Sequence, residues 1–160
     1  MVLYLLGRKC TNATTRIEAT WSQQTEDGVA RVDFVEPLPP GHSTLHVDYS
    51  APFDTPLRGL YRVRSGGQTY AFTQFESISA RLAFPCFDEP RFKTPFEVTL
   101  TVPEGEFAAA NTPVDRTISL PSGLQRITFL PTPPLPTYLV AFAVGWFFCT
   151  LLPVMQVVPH

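Results

Sequence analysis

Proline constrains this chain more than any other residue. Seventeen of its 160 residues are proline, about twice the usual frequency of roughly 5%. Each proline removes a backbone donor and blocks the helical turn before it. At that density long helices are excluded, and an all-α fold with them. The chain is still rich enough to pack a core, because 44% of its residues are hydrophobic. Twelve Lys and Arg stand against 14 Asp and Glu, a net charge of −2. That balance lacks the basic footprint of a nucleic-acid partner.

What replaces helix is alternation. Ala30, Val32 and Phe34 alternate with Arg31 and Asp33, and Leu45, Val47 and Tyr49 with Thr44, His46 and Asp48. Phe96, Val98, Leu100 and Val102 alternate with Glu97, Thr99 and Thr101, while Ile127 and Phe129 alternate with Arg126 and Thr128. Period 2 gives each run one face to bury and one to solvate, as in antiparallel sheets. The connections carry turn chemistry: Asp27-Gly28, the Pro37 to Gly41 stretch, Gly66-Gly67 and Pro121-Ser122-Gly123. The expected fold is all-β and mostly antiparallel, with eight or so strands. Residues 76–83 are the one short helix candidate, which must stop before Pro85.

Every Asp, Glu, Lys and Arg lies between Arg8 and Arg126, so the last 34 residues carry none. Residues 138–152 are almost continuously apolar. A membrane-spanning helix needs about 20 such residues, and Pro136 and Pro153 bracket a shorter run. The segment reads as a buried strand through Val140, Phe142 and Val144 with a sticky extension. A membrane-anchoring tail is the rival reading. Cys10, Cys86 and Cys149 lie too far apart for a zinc cluster or a disulfide framework. The apolar start, Met1 to Leu6, is too short for a secretory core of 7–15 residues. Both observations point to a reducing, cytoplasmic setting, in which the Asn12-Ala13-Thr14 sequon is a chance match.

His42 and His46 have the spacing of two metal ligands on a helix, but the alternation around them predicts a strand. There, residues four apart lie roughly 13 Å from each other, so a metal pair is not expected. In the Thr73-Gln74-Phe75-Glu76 segment, period 2 puts Gln74 and Glu76 on one face and Phe75 on the other. A carboxamide oxygen and a carboxylate on one face can accept hydrogen bonds from an ammonium group. From periodicity alone the favoured reading is a polar strand end whose groups cap the short helix that follows. Downstream, Pro85 and Pro90 force extended backbone at Phe84 and Glu89. Phe84, Phe87, Phe92 and Phe96 are candidate anchors for this loop, and Arg81, Asp88, Glu89, Arg91 and Lys93 candidate members of an ion-pair network. No base–nucleophile pair is present.

These segments carry a resemblance. Gly59-Leu60-Tyr61-Arg62, the Thr73–Glu76 segment, Ala80-Arg81, and Ala83-Phe84-Pro85-Cys86-Phe87-Asp88-Glu89-Pro90 followed by Phe92-Lys93 and Phe96 resemble the N-terminal domain of M1 (gluzincin) zinc aminopeptidases. Thr132-Pro133 and the Thr137 to Gly145 run are similar to a later strand of the same family. The branch most similar is the puromycin-sensitive, aminopeptidase-N-like one. The resemblance implies a saddle-shaped β domain over residues 13–145, preceded by an extension (1–12) and followed by a divergent apolar tail (146–160). It implies a substrate-amine anchor at Glu76, with Gln74 lining the pocket for the first side chain. Arg81, Pro85, Cys86, Asp88, Glu89 and Pro90 become the structural motif.

The zinc that the family uses is implied only for a complete enzyme. The chain has no His-Glu pair for a His-Glu-x-x-His helix, and its two methionines, Met1 and Met155, leave no Gly-x-Met-x-Asn loop. No cofactor and no metal ligand are therefore expected of this chain, and no catalytic residue. After Gly145 the acidic turn usual in the family is replaced by Trp146-Phe147-Phe148-Cys149, so the chain reads as truncated before the catalytic domain. The expected partners are the amino terminus of a peptide and a full-length aminopeptidase or its catalytic domain. A non-catalytic association module derived from an aminopeptidase is the alternative.

Overall fold

The computed structural model describes residues 2–8, 14–38, 40, 43–54 and 57–145, with side chains from Ile17 onward except Ser43. Among them are eleven strands and two short 3-10 turns, and every ladder between strands is antiparallel. The chain divides into two compact units. One gathers the described residues of Met1–Pro52 and Arg81–Pro85, the other those of Phe53–Ala80 and Cys86–His160.

The first unit holds one sheet of β1 (Val2–Arg8), β2 (Thr14–Gln23), β3 (Ala30–Phe34) and β4 (Ser43–Asp48), in the order β3-β2-β1-β4. The stretch expected to be an extension thus contributes β1, paired along both edges with β2 and β4. Asp27-Gly28 turns the chain between β2 and β3, with Gly28 donating its N–H to the Thr25 carbonyl at 3.2 Å. Burial follows the alternation in β3, where Val32 and Phe34 are half-buried and their neighbours exposed. It does not in β4, where Leu45 stays 43% exposed. Val47 is half-buried, and the other described side chains of β4 are exposed.

The second unit contains two sheets. One is β5 (Gly59–Ser65), β6 (Gln68–Gln74), β8 (Phe107–Ala110) and β11 (Phe142–Gly145), ordered β5-β6-β11-β8. The other is β7 (Thr99–Pro103), β9 (Val114–Leu120) and β10 (Leu124–Phe129), ordered β7-β10-β9. Gly66 and Gly67, at φ +57° and +76°, make the two-residue turn joining β5 to β6. Both central residues need positive φ there, which glycine adopts without a Cβ clash.

An apolar cluster lies between these two sheets. Val102, Ile127 and Phe129 come from one, Ala108 from the other, and Val98, Leu100, Ala110 and Val144 pack around them. Val98, Leu100, Val102, Ile127 and Phe129 are residues of the period-2 runs on their apolar faces, with Glu97, Thr99, Thr101 and Arg126 exposed. Pairing continues past β7 through Phe129 N–H to Val98 O at 3.0 Å and Thr132 N–H to Phe96 O at 3.0 Å. β11 ends on Gly145, where an added Cβ would lie 2.5 Å from Tyr70 Cδ1. Its expected extension beyond Gly145 lies outside the described residues.

Residues 76–83 form no α-helix. Residues 76–79 are a turn closed by Ser79 N–H to Phe75 O at 2.9 Å, and Ala80–Leu82 a single 3-10 turn. The physical reason is length: between the end of β6 and Pro85 too few residues remain to repay helix nucleation.

Candidate functional site

The site begins where β6 runs out. β6 is sandwiched by β5 and β11 in its sheet, and its last residue, Gln74, pairs with Gly59. Phe75 then turns inward and is 1% exposed, the largest fully buried side chain among the described residues. Its ring meets Phe142 edge-on at 6.2 Å. Phe142 is itself tied to β6, its N–H donating to Thr73 Oγ1 at 3.0 Å while the Thr73 hydroxyl reaches its carbonyl at 3.2 Å. The buried ring pins the chain, and on either side of it Gln74 and Glu76 are exposed. Alternation thus continues one residue beyond the strand.

Gln74 and Glu76 are therefore brought out together, one closing β6 and the other opening the turn. Among the described residues, none makes a hydrogen bond or ion pair with either side chain. The turn that follows is closed backbone to backbone, by Ser79 N–H on Phe75 O. Two acceptor groups on a pinned backbone can receive the N–H donors of a cation. Phe75 is the residue whose role in the site the sequence reading missed. An aromatic flanked by polar residues at the end of a strand was the available signal.

Residues 85–90 are arranged differently. Asp88 is 5% exposed, and its Oδ1 accepts a hydrogen bond from the Thr137 hydroxyl at 2.5 Å. Cys86 is a half-buried thiol, and Pro85, Glu89 and Pro90 are exposed. Arg91 Nε reaches Glu89 Oε2 at 2.7 Å, whereas Arg81 approaches Asp27 at 3.9 Å. The Asp27 carboxyl is held below its ordinary range, chiefly by the Thr25 hydroxyl and less by the Arg81 charge. Two expected anchors fail: Phe87 is 81% exposed and Phe92 45%. The short bonds Glu89 N–H to Phe87 O and Phe92 N–H to Glu89 O turn the backbone so that Asp88, not Phe87, faces inward.

No three His, Cys, Asp or Glu side chains among the described residues are grouped to hold a metal ion. His46 lies on the exposed strand β4, 3.4 Å from Asp48, and His42 lies outside the described residues. No helix among the described residues is long and apolar enough to cross a membrane.

Comparison with known proteins agrees with this architecture. Residues 5–139 match the Peptidase M1 N-terminal domain. Aminopeptidase M1-B of Oryza sativa subsp. japonica is 38% identical over 130 residues, 78% of this chain but 15% of its own length. Aminopeptidase M1 of Arabidopsis thaliana is 35% identical over 126 residues, covering 76% of this chain and 14% of its own length. Aminopeptidase N of Acetobacter pasteurianus is 32% identical over 148 residues, 89% of this chain and 41% of its own. The match thus spans 14–15% of the two plant relatives and 41% of the bacterial one. With its antiparallel sheets and a match covering most of its residues, the chain belongs to the M1 peptidase N-terminal domain family.

Proposed function

We propose that this chain is the substrate-amine-binding portion of an M1 aminopeptidase, with Glu76 receiving the α-ammonium group of a peptide and Gln74 lining the place of its first side chain. The observation that carries this is the exposed Gln74–Glu76 pair flanking the buried Phe75. An α-ammonium group offers three N–H donors and a full positive charge, and each charge-assisted bond to a carboxylate contributes about 1.5–3 kcal/mol. An acylated terminus lacks that charge, so the anchor selects free amino termini.

Zinc is what the family implies for the hydrolytic step. The described residues do not fit it, because they hold no grouped set of ligands. In this reading the metal and the general base belong to polypeptide outside these residues. The chain binds and orients; it does not cleave.

The test is a full-length chimaera in which residues 5–139 replace the matched segment of rice Aminopeptidase M1-B. Glu76→Gln is expected to lower kcat/KM for an unblocked aminoacyl arylamide about 10- to 100-fold, the equivalent of one charge-assisted bond. An unchanged kcat/KM would refute the anchor. The 160-residue chain by itself is expected to release no chromophore; turnover with stoichiometric zinc would refute its inactivity.

A further inference from the structure

One strand edge in the second unit is left undefended. Its two sheets end on β5 and β8, and on β7 and β9. An open edge is a template for pairing with another chain, and charge, proline or brevity usually blunts it. β5 carries Arg62 and Arg64 and is bridged by Asp54 at Tyr61. β8 is four residues long, and β7 is five and ends on Pro103. β9 is seven residues, Val114–Leu120, and contains no proline, glycine or lysine. It pairs with β10 on one side, and no strand among the described residues adjoins the other. Ile118 on this edge is 46% exposed. The apolar cover of the sheet stops short of it: Ile127 of β10 is buried, while Thr117, opposite it on β9, is exposed. A further strand therefore has room beside β9.

We propose that β9 pairs antiparallel with β9 of a second copy of this chain, about a two-fold axis at Ile118. The strand itself selects that register. Thr128 faces Arg116 and Phe129 faces Val114, so Asp115 is the extra residue of a β-bulge. Pro121 follows the strand and has no N–H to give. The regular stretch between them is 116–120, and Ile118 is its middle residue. A two-fold that pairs a strand with itself must pass through a residue, because directly opposed side chains share a face and faces alternate with period 2. At Ile118 all five residues find partners. Ile118 meets its own equivalent, each Arg116 meets the other copy's Leu120, and each Thr117 the other copy's Ser119. The Ser119 hydroxyl donates to Glu104 Oε1 at 3.4 Å and keeps lone pairs to accept from Thr117. No charge opposes a like charge. An axis at Arg116 would set two guanidinium groups against each other, which is destabilising, and one at Thr117 would carry the ladder towards the bulged Asp115. Charge and backbone regularity thus favour a second copy in this register, with the same patch used on both sides. The inference does not depend on the amine anchor, which lies at the end of β6 in the other sheet.

The experiment follows the 160-residue chain by sedimentation equilibrium over a concentration series, with amide hydrogen exchange on the same samples. The mass is expected to approach twice that of the monomer as concentration rises, while exchange slows within residues 116–120. Ile118→Lys sets two ammonium groups opposite each other and should raise the dimer dissociation constant about tenfold or more. Because Ile118 is exposed, the dilute variant should keep the wild-type thermal midpoint. Ile118→Val preserves a β-branched pair at the axis and should still dimerise, as should Phe87→Ala, which leaves this edge untouched. A wild-type chain that stays monomeric to its solubility limit would overturn the inference, as would an Ile118→Lys chain that dimerises like the wild type. So would loss of the dimer in Phe87→Ala, which would place the contact on the exposed ring instead. The exchange pattern decides without any variant: concentration-dependent protection that leaves residues 116–120 unchanged would also overturn it.

Discussion

Along β7 and β10 the apolar side chains Leu100, Val102, Ile127 and Phe129 turn inward, and Thr99, Thr101 and Arg126 turn out. Along residues 87–92 the arrangement is reversed, with Asp88 inside and Phe87 and Phe92 outside. In the strands the period of the backbone and the hydrophobic effect agree, so each side chain goes where its solubility sends it. In the loop, the Asp88 carboxylate, which accepts a hydrogen bond from the Thr137 hydroxyl, overrides that preference. Hydrophobic pattern thus predicts orientation where a ladder supplies the period. It fails where the backbone is shaped by turns and proline.

The sharpest way to break this contrast is to empty the sheet core. Phe129→Ala removes a side chain 2% exposed and is expected to destabilise the chain by about 3–5 kcal/mol, which a urea unfolding midpoint will show. A loss below about 1 kcal/mol would mean that the two sheets are not packed through this cluster. In the loop, Asp88→Ala deprives the Thr137 hydroxyl of its partner and is expected to cost about 1–3 kcal/mol. Asp88→Asn keeps an acceptor and should cost less in the same titration.

Phe87→Ala completes the comparison from the exposed side. With the ring 81% exposed, the change in the free chain is expected to stay within about 0.5 kcal/mol, against the several expected at Phe129. A loss as large as that at Phe129 would remove the contrast. Smallest of all is the exposed carboxylate of Asp27. Its folded pKa lies below the ordinary 3.8, so its contribution is present above pH 3.8 and is lost as the pH falls through the depressed value. Asp27→Asn should therefore leave the thermal midpoint at pH 7 slightly lower and reduce its further fall in acid. An identical acid profile for the variant would show that the Thr25 bond does not contribute to stability.

Much of the fold was legible because strands advertise themselves. The runs ending at Val102 and Phe129, the Gly66-Gly67 turn and the absence of long helices all follow from period 2, positive φ and proline. The site was half legible. Alternation alone placed Gln74 and Glu76 on one face and Phe75 on the other, since a strand-like backbone presents successive side chains to opposite sides, but left open which face is exposed. It did not reveal that Phe75 is the pin, because its contact, Phe142, lies 67 positions away in sequence. Nor did composition reveal that Phe87 and Phe92 would face out, since aromatics between prolines read as anchors. The short helix expected over residues 76–83 failed for want of length, and β4 kept its period without gaining a cover for Leu45.

The order of residues by itself determined that this protein is built of antiparallel strands, where its tight turns fall, and the family to which it belongs. These are consequences of local backbone preference and of side chains spaced two apart. Only the tertiary structure decided which of the alternating faces became a core, that a phenylalanine at the end of β6 holds two polar neighbours outward, and that an aspartate displaced two aromatic rings to the surface. Each of these depends on a partner far away in the chain, Thr137 for Asp88 and Phe142 for Phe75. Burial is a property of such pairings, which no local pattern contains.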